Sequence, residues 1–109
     1  MKAIIEGKRY DTLAPRTVLV CRLGNDLPSN DFSAWDAGLY RTQSGRWFLA
    51  GWGGPMTQFG HGSMSHGGRS GGSRIIPLTR EEAREYLEED GEAVEALETY
   101  AAEFGIKEA

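Results

Sequence analysis

The chain has only one cysteine, Cys21, among its 109 residues. A single thiol excludes an internal disulfide, and chains without disulfides are typical of reducing compartments, so the sequence predicts a cytoplasmic protein. No apolar run is long enough to cross a membrane, and no membrane partner is expected. The polar residues 6–8 interrupt the apolar start of the chain at once, which is not the pattern of a signal peptide.

Motifs that bind cofactors are missing too. The sequence has no G-x-x-x-x-G-K-[ST] phosphate loop, and no G-x-G-x-x-G turn lies between a strand and a helix. It also lacks a lysine-rich stripe of the kind that marks many nucleic-acid-binding surfaces. We therefore predict that the protein uses no cofactor.

Positive charge is scarce in the last third of the chain. Residues 1–78 carry nine Lys or Arg and five Asp or Glu, whereas residues 79–109 carry three and eleven. An acidic tail of this kind is typical of a solvated helix face. The alternative is an acidic surface that binds a basic partner or imitates nucleic acid.

Aromatic residues are concentrated in the segment 39–54, which is predicted to be a hairpin at the centre of the fold. A two-residue turn at 44–45 would place Tyr40 opposite Leu49. A three-residue turn ending in the same glycine would place Tyr40 opposite Phe48, and we favour it because it pairs apolar side chains better. Apolar groups on both faces predict a hairpin covered on one face and partly covered on the other.

Further strands are predicted at 2–5, 9–12, 17–23 and 74–76. The segment 17–23 is rich in β-branched residues and continuous enough to be buried on both faces, with Cys21 as a core residue. The proline after the last of these strands stops it at a sheet edge.

The segment 79–105 is predicted to be helical. Thr79 and Glu82 have the spacing of a capping box, Gly91 interrupts the apolar pattern, and Gly105 ends it. Together these elements predict a single α+β domain: a four- to five-stranded, mainly antiparallel sheet with a C-terminal helix or helix pair packed on one face.

Residues 53–73 contain eight glycines and are predicted to form a flexible loop. Met56, Phe59 and Met64 would then be apolar contacts through which the loop becomes ordered on a partner. A simple flexible excursion is the alternative.

Two histidines in that segment raise the question of chemistry. His61 and His66 resemble part of a soft metal site, but no Cys, Asp or Glu in the segment completes a ligand set, so no metal is predicted. A small enzyme that uses these histidines with Asp31 or Asp36 remains an alternative, and it requires the loop to fold over a pocket.

The missing catalytic constellation, the glycine loop and the acidic tail favour a non-catalytic protein that binds another protein, of unspecified oligomeric state. The candidate contact residues lie on the hairpin and the glycine segment: Arg41, Arg46, Trp47, Trp52, Met56, Phe59, His61, Met64, His66 and Arg69. Core packing is the alternative for the tryptophans.

A nucleic-acid-binding module is the second hypothesis. In this interpretation a basic surface would be combined with aromatic rings on which bases stack, formed by Arg41, Arg46, Arg69, Arg74, Trp47 and Phe48.

Most of the chain resembles a group of small bacterial proteins that are often encoded on prophages and other mobile elements. The resemblance is carried by the segments 7–12, 46–49, 53–56, 75–79 and 81–87. It names no chemistry, but it implies a context in which small acidic proteins bind host machinery. Inhibitors of host defence, such as anti-CRISPR proteins, are one class of this kind, and a host protein is therefore the expected partner.

Overall fold

The computed structural model describes residues 1–63 and 68–109. It confirms the α+β fold, with a four-stranded antiparallel sheet, two small two-stranded sheets and three short C-terminal helices. The elements are β1 Lys2–Ile5, β2 Lys8–Asp11, β3 Val18–Gly24, β4 Trp35–Arg41, β5 Trp47–Gly53, β6 His61–Ser63, β7 Gly68–Ser70, β8 Gly72–Leu78, α1 Arg80–Glu89, α2 Val94–Thr99 and α3 Ala101–Phe104.

The central sheet has the strand order β3-β4-β5-β8. Its middle hairpin, β4 and β5, pairs Tyr40 with Phe48 and Leu39 with Leu49, which confirms the register with the three-residue turn. Gly45 in that turn has a φ of +88°, a conformation that glycine adopts without steric cost.

The two faces of the sheet belong to different cores, because successive residues of a strand point to opposite faces. Leu39, Trp47 and Leu49 lie in the larger cluster, which also contains buried residues of the helices. Phe48 lies in a smaller cluster with Tyr10 of β2. The prediction that one face is covered and the other partly covered agrees with this arrangement.

The N-terminal hairpin forms around a two-residue turn. Glu6 and Gly7 both have positive φ angles, of 51° and 76°, and Ile5 pairs with Lys8. Such turns match the right-handed twist of the flanking strands. The ring of Tyr10 meets Phe48 edge-on, with centroids 5.4 Å apart, and so attaches this hairpin to the central sheet.

The helical segment begins as predicted. The Thr79 hydroxyl accepts a hydrogen bond from the amide of Glu82, and the Glu82 carboxylate accepts one from the amide of Thr79. Gly105 ends α3 with a φ of +69°. None of the described helices is long and apolar enough to cross a membrane.

The prediction that the strand at 17–23 is buried on both faces is wrong. β3 is an edge strand, and Val18 and Leu19 are 50% and 42% exposed. An irregularity between Leu19 and Cys21 shifts its register against β4, as a β-bulge does. Hydrophobic continuity did not distinguish an edge strand from a central one.

The segment 53–73, predicted to be a flexible loop, contains turns and short strands in its described residues. Two hydrogen-bonded turns follow Gly53, and Phe59 is completely buried in the larger core. The short strands β6 and β7 pair with each other, and β8 already begins at Gly72. The glycines of this segment therefore allow close backbone packing as well as turns.

Candidate functional site

Two large apolar residues with exposed side chains lie on loops that are joined through their backbones. Phe32 is 68% exposed and Met56 is 66% exposed. The Met56 amide donates a hydrogen bond of 2.9 Å to the Phe32 carbonyl oxygen, so the two residues emerge from adjacent backbone positions. We call these two residues the apolar pair.

The loop that carries Phe32 is held by side-chain hydrogen bonds. Asn25 donates to the Ser33 carbonyl oxygen at 2.8 Å and accepts from the Trp35 amide at 3.3 Å. The Asp31 carboxylate accepts from the Ser33 amide at 2.8 Å. These contacts give Phe32 a defined position although the loop has no regular structure.

The loop that carries Met56 approaches the first loop closely because of a glycine. A Cβ atom built on Gly54 would lie 2.4 Å from the Phe32 carbonyl oxygen, nearer than such atoms come. The Thr57 hydroxyl then donates to the Gly54 carbonyl oxygen at 2.8 Å and closes the turn. The apolar pair therefore depends on this glycine.

Met56 is among the contact residues predicted from the sequence, whereas Phe32 is not. A signal was present, since Phe32 is a large apolar residue next to a polar loop and belongs to no strand pattern. An isolated exposed apolar residue is ordinary on protein surfaces, and only the hydrogen bond to Met56 shows that two of them lie together.

Trp47 and Phe59 are buried, so the structure contradicts the prediction that they contact a partner. Trp47 is buried, and its indole Nε1 donates to Glu103 at 2.9 Å. Phe59 packs near Trp35, with ring centroids 6.4 Å apart. For Trp47 the alternative of core packing is the right one, because the C-terminal helices cover that face of the sheet.

Trp52 lies on the other face of the sheet and is half-buried. It pairs with Asp36 of β4 and with Ser73 of β8, both of which are exposed. The structure therefore places Trp52 beyond the part of the sheet that Tyr10 covers, on a different face from Trp47.

Three residues of the predicted nucleic-acid surface are engaged within the fold. Arg41 makes a 3.0 Å ion pair with Glu103, and its guanidinium lies over the Tyr100 ring at 5.4 Å. Both proposed stacking rings, Trp47 and Phe48, are buried. Bases therefore have no access to these two rings.

The other arginines of the predicted surface lie in different environments. Arg46 and Arg69 are exposed. Arg74 donates a hydrogen bond of 2.7 Å to the Gln58 carbonyl oxygen and so holds the turn before Phe59. Arg41 and Arg74 are thus engaged in contacts within the chain, whereas Arg46 and Arg69 are exposed.

The residues considered for catalysis or for metal binding are exposed where the structure describes them. His61, Asp31 and Asp36 are exposed, while Met64 and His66 lie outside the described residues. Across residues 1–63 and 68–109, no three His, Cys, Asp or Glu side chains are placed to hold a metal ion.

Cys21 lies half-buried at the edge of the larger core. Burial raises the pKa of its thiol above the ordinary value of 9.0, and the nearby charge of Asp90 raises the pKa further. Because the thiolate is the nucleophilic form, this environment makes Cys21 less reactive than a free thiol.

Comparison with protein-family models, with curated proteins and with solved structures gives no match for this chain. The resemblance to proteins of mobile elements therefore stays a prediction.

Proposed function

We propose that this chain is a non-catalytic binding protein that contacts a partner protein through the apolar pair. The observation that carries the proposal is the exposure of Phe32 and Met56 on two loops joined by a backbone hydrogen bond. Aromatic residues and methionine are enriched in protein interfaces, and a preorganised contact loses little entropy on binding.

The ordering of the two loops supports this proposal. Both apolar side chains are exposed in the isolated chain, while the backbone beneath them is held by hydrogen bonds. Covering them would remove apolar surface from water without refolding the loops. A host protein is the proposed partner, and the finer proposal of a host defence component is supported only by the resemblance to prophage proteins.

The test is capture of a partner from a bacterial host lysate with a double variant, Phe32→Ser with Met56→Ser. The matched control is Ile4→Ser with Leu13→Ser, which removes two exposed apolar side chains elsewhere, Ile4 being 67% exposed. Far-UV circular dichroism checks that both variants fold.

We expect the wild type and the control variant to retain the same protein after nuclease treatment. The double variant should retain at least roughly tenfold less of it, because hot-spot side chains dominate interface energy. Equal capture by the double variant would remove the apolar pair from the proposal. Loss of the partner on nuclease treatment would indicate nucleic acid instead.

A further inference from the structure

One edge of the central sheet is open. β3 is the terminal strand in the order β3-β4-β5-β8, and within residues 1–63 and 68–109 no strand pairs with its outer side. A strand edge of this kind presents backbone N–H and C=O groups that an added strand can bond. β3 has seven residues, a length of about 23 Å at the rise of an extended chain.

A groove runs between this edge and helix α2. It has a volume of about 370 Å³, and β3 contributes Val18, Val20 and Cys21 to it. From the helix side it is lined by Ala96 and Tyr100, among others. The groove therefore combines an apolar floor with an unpaired sheet edge.

The helix side of the groove is acidic. Glu92 and Glu95 line it, and residues 92–99 contain a third glutamate but no basic residue. The one basic residue of β3, Arg22, pairs with Gly38, whose neighbours Ala37 and Leu39 face the helices. Because side chains alternate along a strand, Arg22 points to the opposite face of the sheet.

We propose that the β3–α2 groove binds an extended, basic segment of a partner protein, which adds to β3 as a fifth strand of the sheet. Main-chain hydrogen bonds to the outer side of β3 fix the register of the segment. Alternate side chains of the segment enter the groove, where short apolar groups meet Val18 and Val20. Lysine or arginine side chains meet Glu92 and Glu95. This surface is separate from the apolar pair.

The probe is a blocked, dye-labelled peptide of seven residues, with valine, lysine, valine and lysine at positions 1, 3, 5 and 7 so that both kinds of side chain share one face, and threonine between them. Binding is followed by fluorescence anisotropy. Two further versions carry N-methyl groups on alternate backbone amides, one on the odd and one on the even positions. Successive amides of a strand point to opposite sides, so only the odd set or the even set can bond β3. We expect one methylated peptide to lose binding and the other to keep it.

The protein variant is Glu92→Lys with Glu95→Lys, and its control is Glu81→Lys with Glu85→Lys on α1. All four glutamates are exposed, and both variants change the net charge equally. We expect the groove variant to bind roughly tenfold more weakly and the control to bind with nearly the wild-type affinity. Bound peptide should also slow alkylation of Cys21, the single thiol of the chain.

Three results would each overturn the proposal. The first is no binding of the unmodified peptide, and the second is equal binding of the two methylated peptides. The third is equal weakening by the groove and control variants, since binding would then follow net charge alone. The Phe32→Ser, Met56→Ser variant should bind the peptide normally, which separates this test from that of the apolar pair.

Discussion

The two faces of the central sheet are covered in different ways. On one face three helices pack over Trp47 and Leu49, and the core extends to Phe59 and Phe104. On the other face Phe48 is covered by Tyr10 of a two-stranded hairpin and by few other residues. Residues 47 and 48 are adjacent in the chain, yet each is buried by a different element. The burial of a strand residue thus depends on what packs over its face.

The faces also differ in their polar connections. On the helix face, Glu103 of α3 accepts hydrogen bonds from Arg41 at 3.0 Å and from Trp47 at 2.9 Å, and so joins the last helix to the hairpin. The N-terminal hairpin is closed mainly on itself, where the Met1 amino group donates to the Thr12 hydroxyl at 2.9 Å. We therefore expect contacts on the helix face to contribute more to the free energy of unfolding than contacts on the opposite face.

The largest effect is expected for Trp47→Ala. It removes a buried ring that lies 5.0 Å from Phe104 and 5.3 Å from Tyr100, measured between centroids. Large-to-small changes of a buried aromatic residue cost about 4 kcal/mol of the free energy of unfolding. Urea denaturation followed by circular dichroism measures this loss. A loss below about 1.5 kcal/mol would show that the helices are not held by Trp47.

A smaller effect is expected for Tyr10→Ala on the opposite face. The change removes the buried ring that meets Phe48, and we expect a loss of about 2–3 kcal/mol. Amide hydrogen exchange should then accelerate in residues 2–11 before it changes in α1. Equal acceleration in both places would contradict the division of the core into two clusters.

Glu103→Gln tests the polar connection of the helix face. Glutamine can still accept the Trp47 hydrogen bond, but the ion pair with Arg41 is lost. Both side chains of that pair are partly buried, so we expect a loss of about 1 kcal/mol in urea denaturation. The control is Glu88→Gln, because Glu88 is more exposed and lies 3.8 Å from Arg84. A similar loss in the control would mean that the effect is not local.

The smallest effect concerns Cys21, which lies where the helix-face core meets the edge strand. Because folding raises the pKa of this thiol, the folded chain holds its proton more tightly than the unfolded chain. The resulting stabilisation is present below pH 9.0 in full and is lost as pH rises through the folded pKa. The alkylation rate against pH, compared with the chain in denaturant, measures the difference. A folded midpoint at or below 9.0 would contradict it.

Much of the fold follows from local pattern in the sequence. The capping box of Thr79 and Glu82, the glycine turn at Gly45 and the pairing of Tyr40 with Phe48 depend on spacings of a few residues. The position of β3 at an edge could not be read in this way. Its apolar residues suit a buried strand, and only the final strand order shows that no strand of residues 1–63 and 68–109 pairs with its outer side.

The candidate site was less predictable than the fold. Met56 was predicted as a contact residue because the glycine segment is unusual, but Phe59, predicted from the same segment, lies in the core. Phe32 becomes a candidate only in the folded chain, where its loop packs closely against Gly54 of the second loop. A contact between residues far apart in the chain has no signature in either segment alone.

The sequence by itself determined the position of the central strands, the start of the helical segment, the register of the central hairpin and the acidic character of the helical tail, because these depend on neighbouring residues. The tertiary structure decided which apolar side chains are left uncovered. Trp47 and Phe59 are buried because distant elements pack over them, while Phe32 and Met56 are exposed because none of the described residues does. Burial is a property of the assembled layers, and composition alone does not specify it.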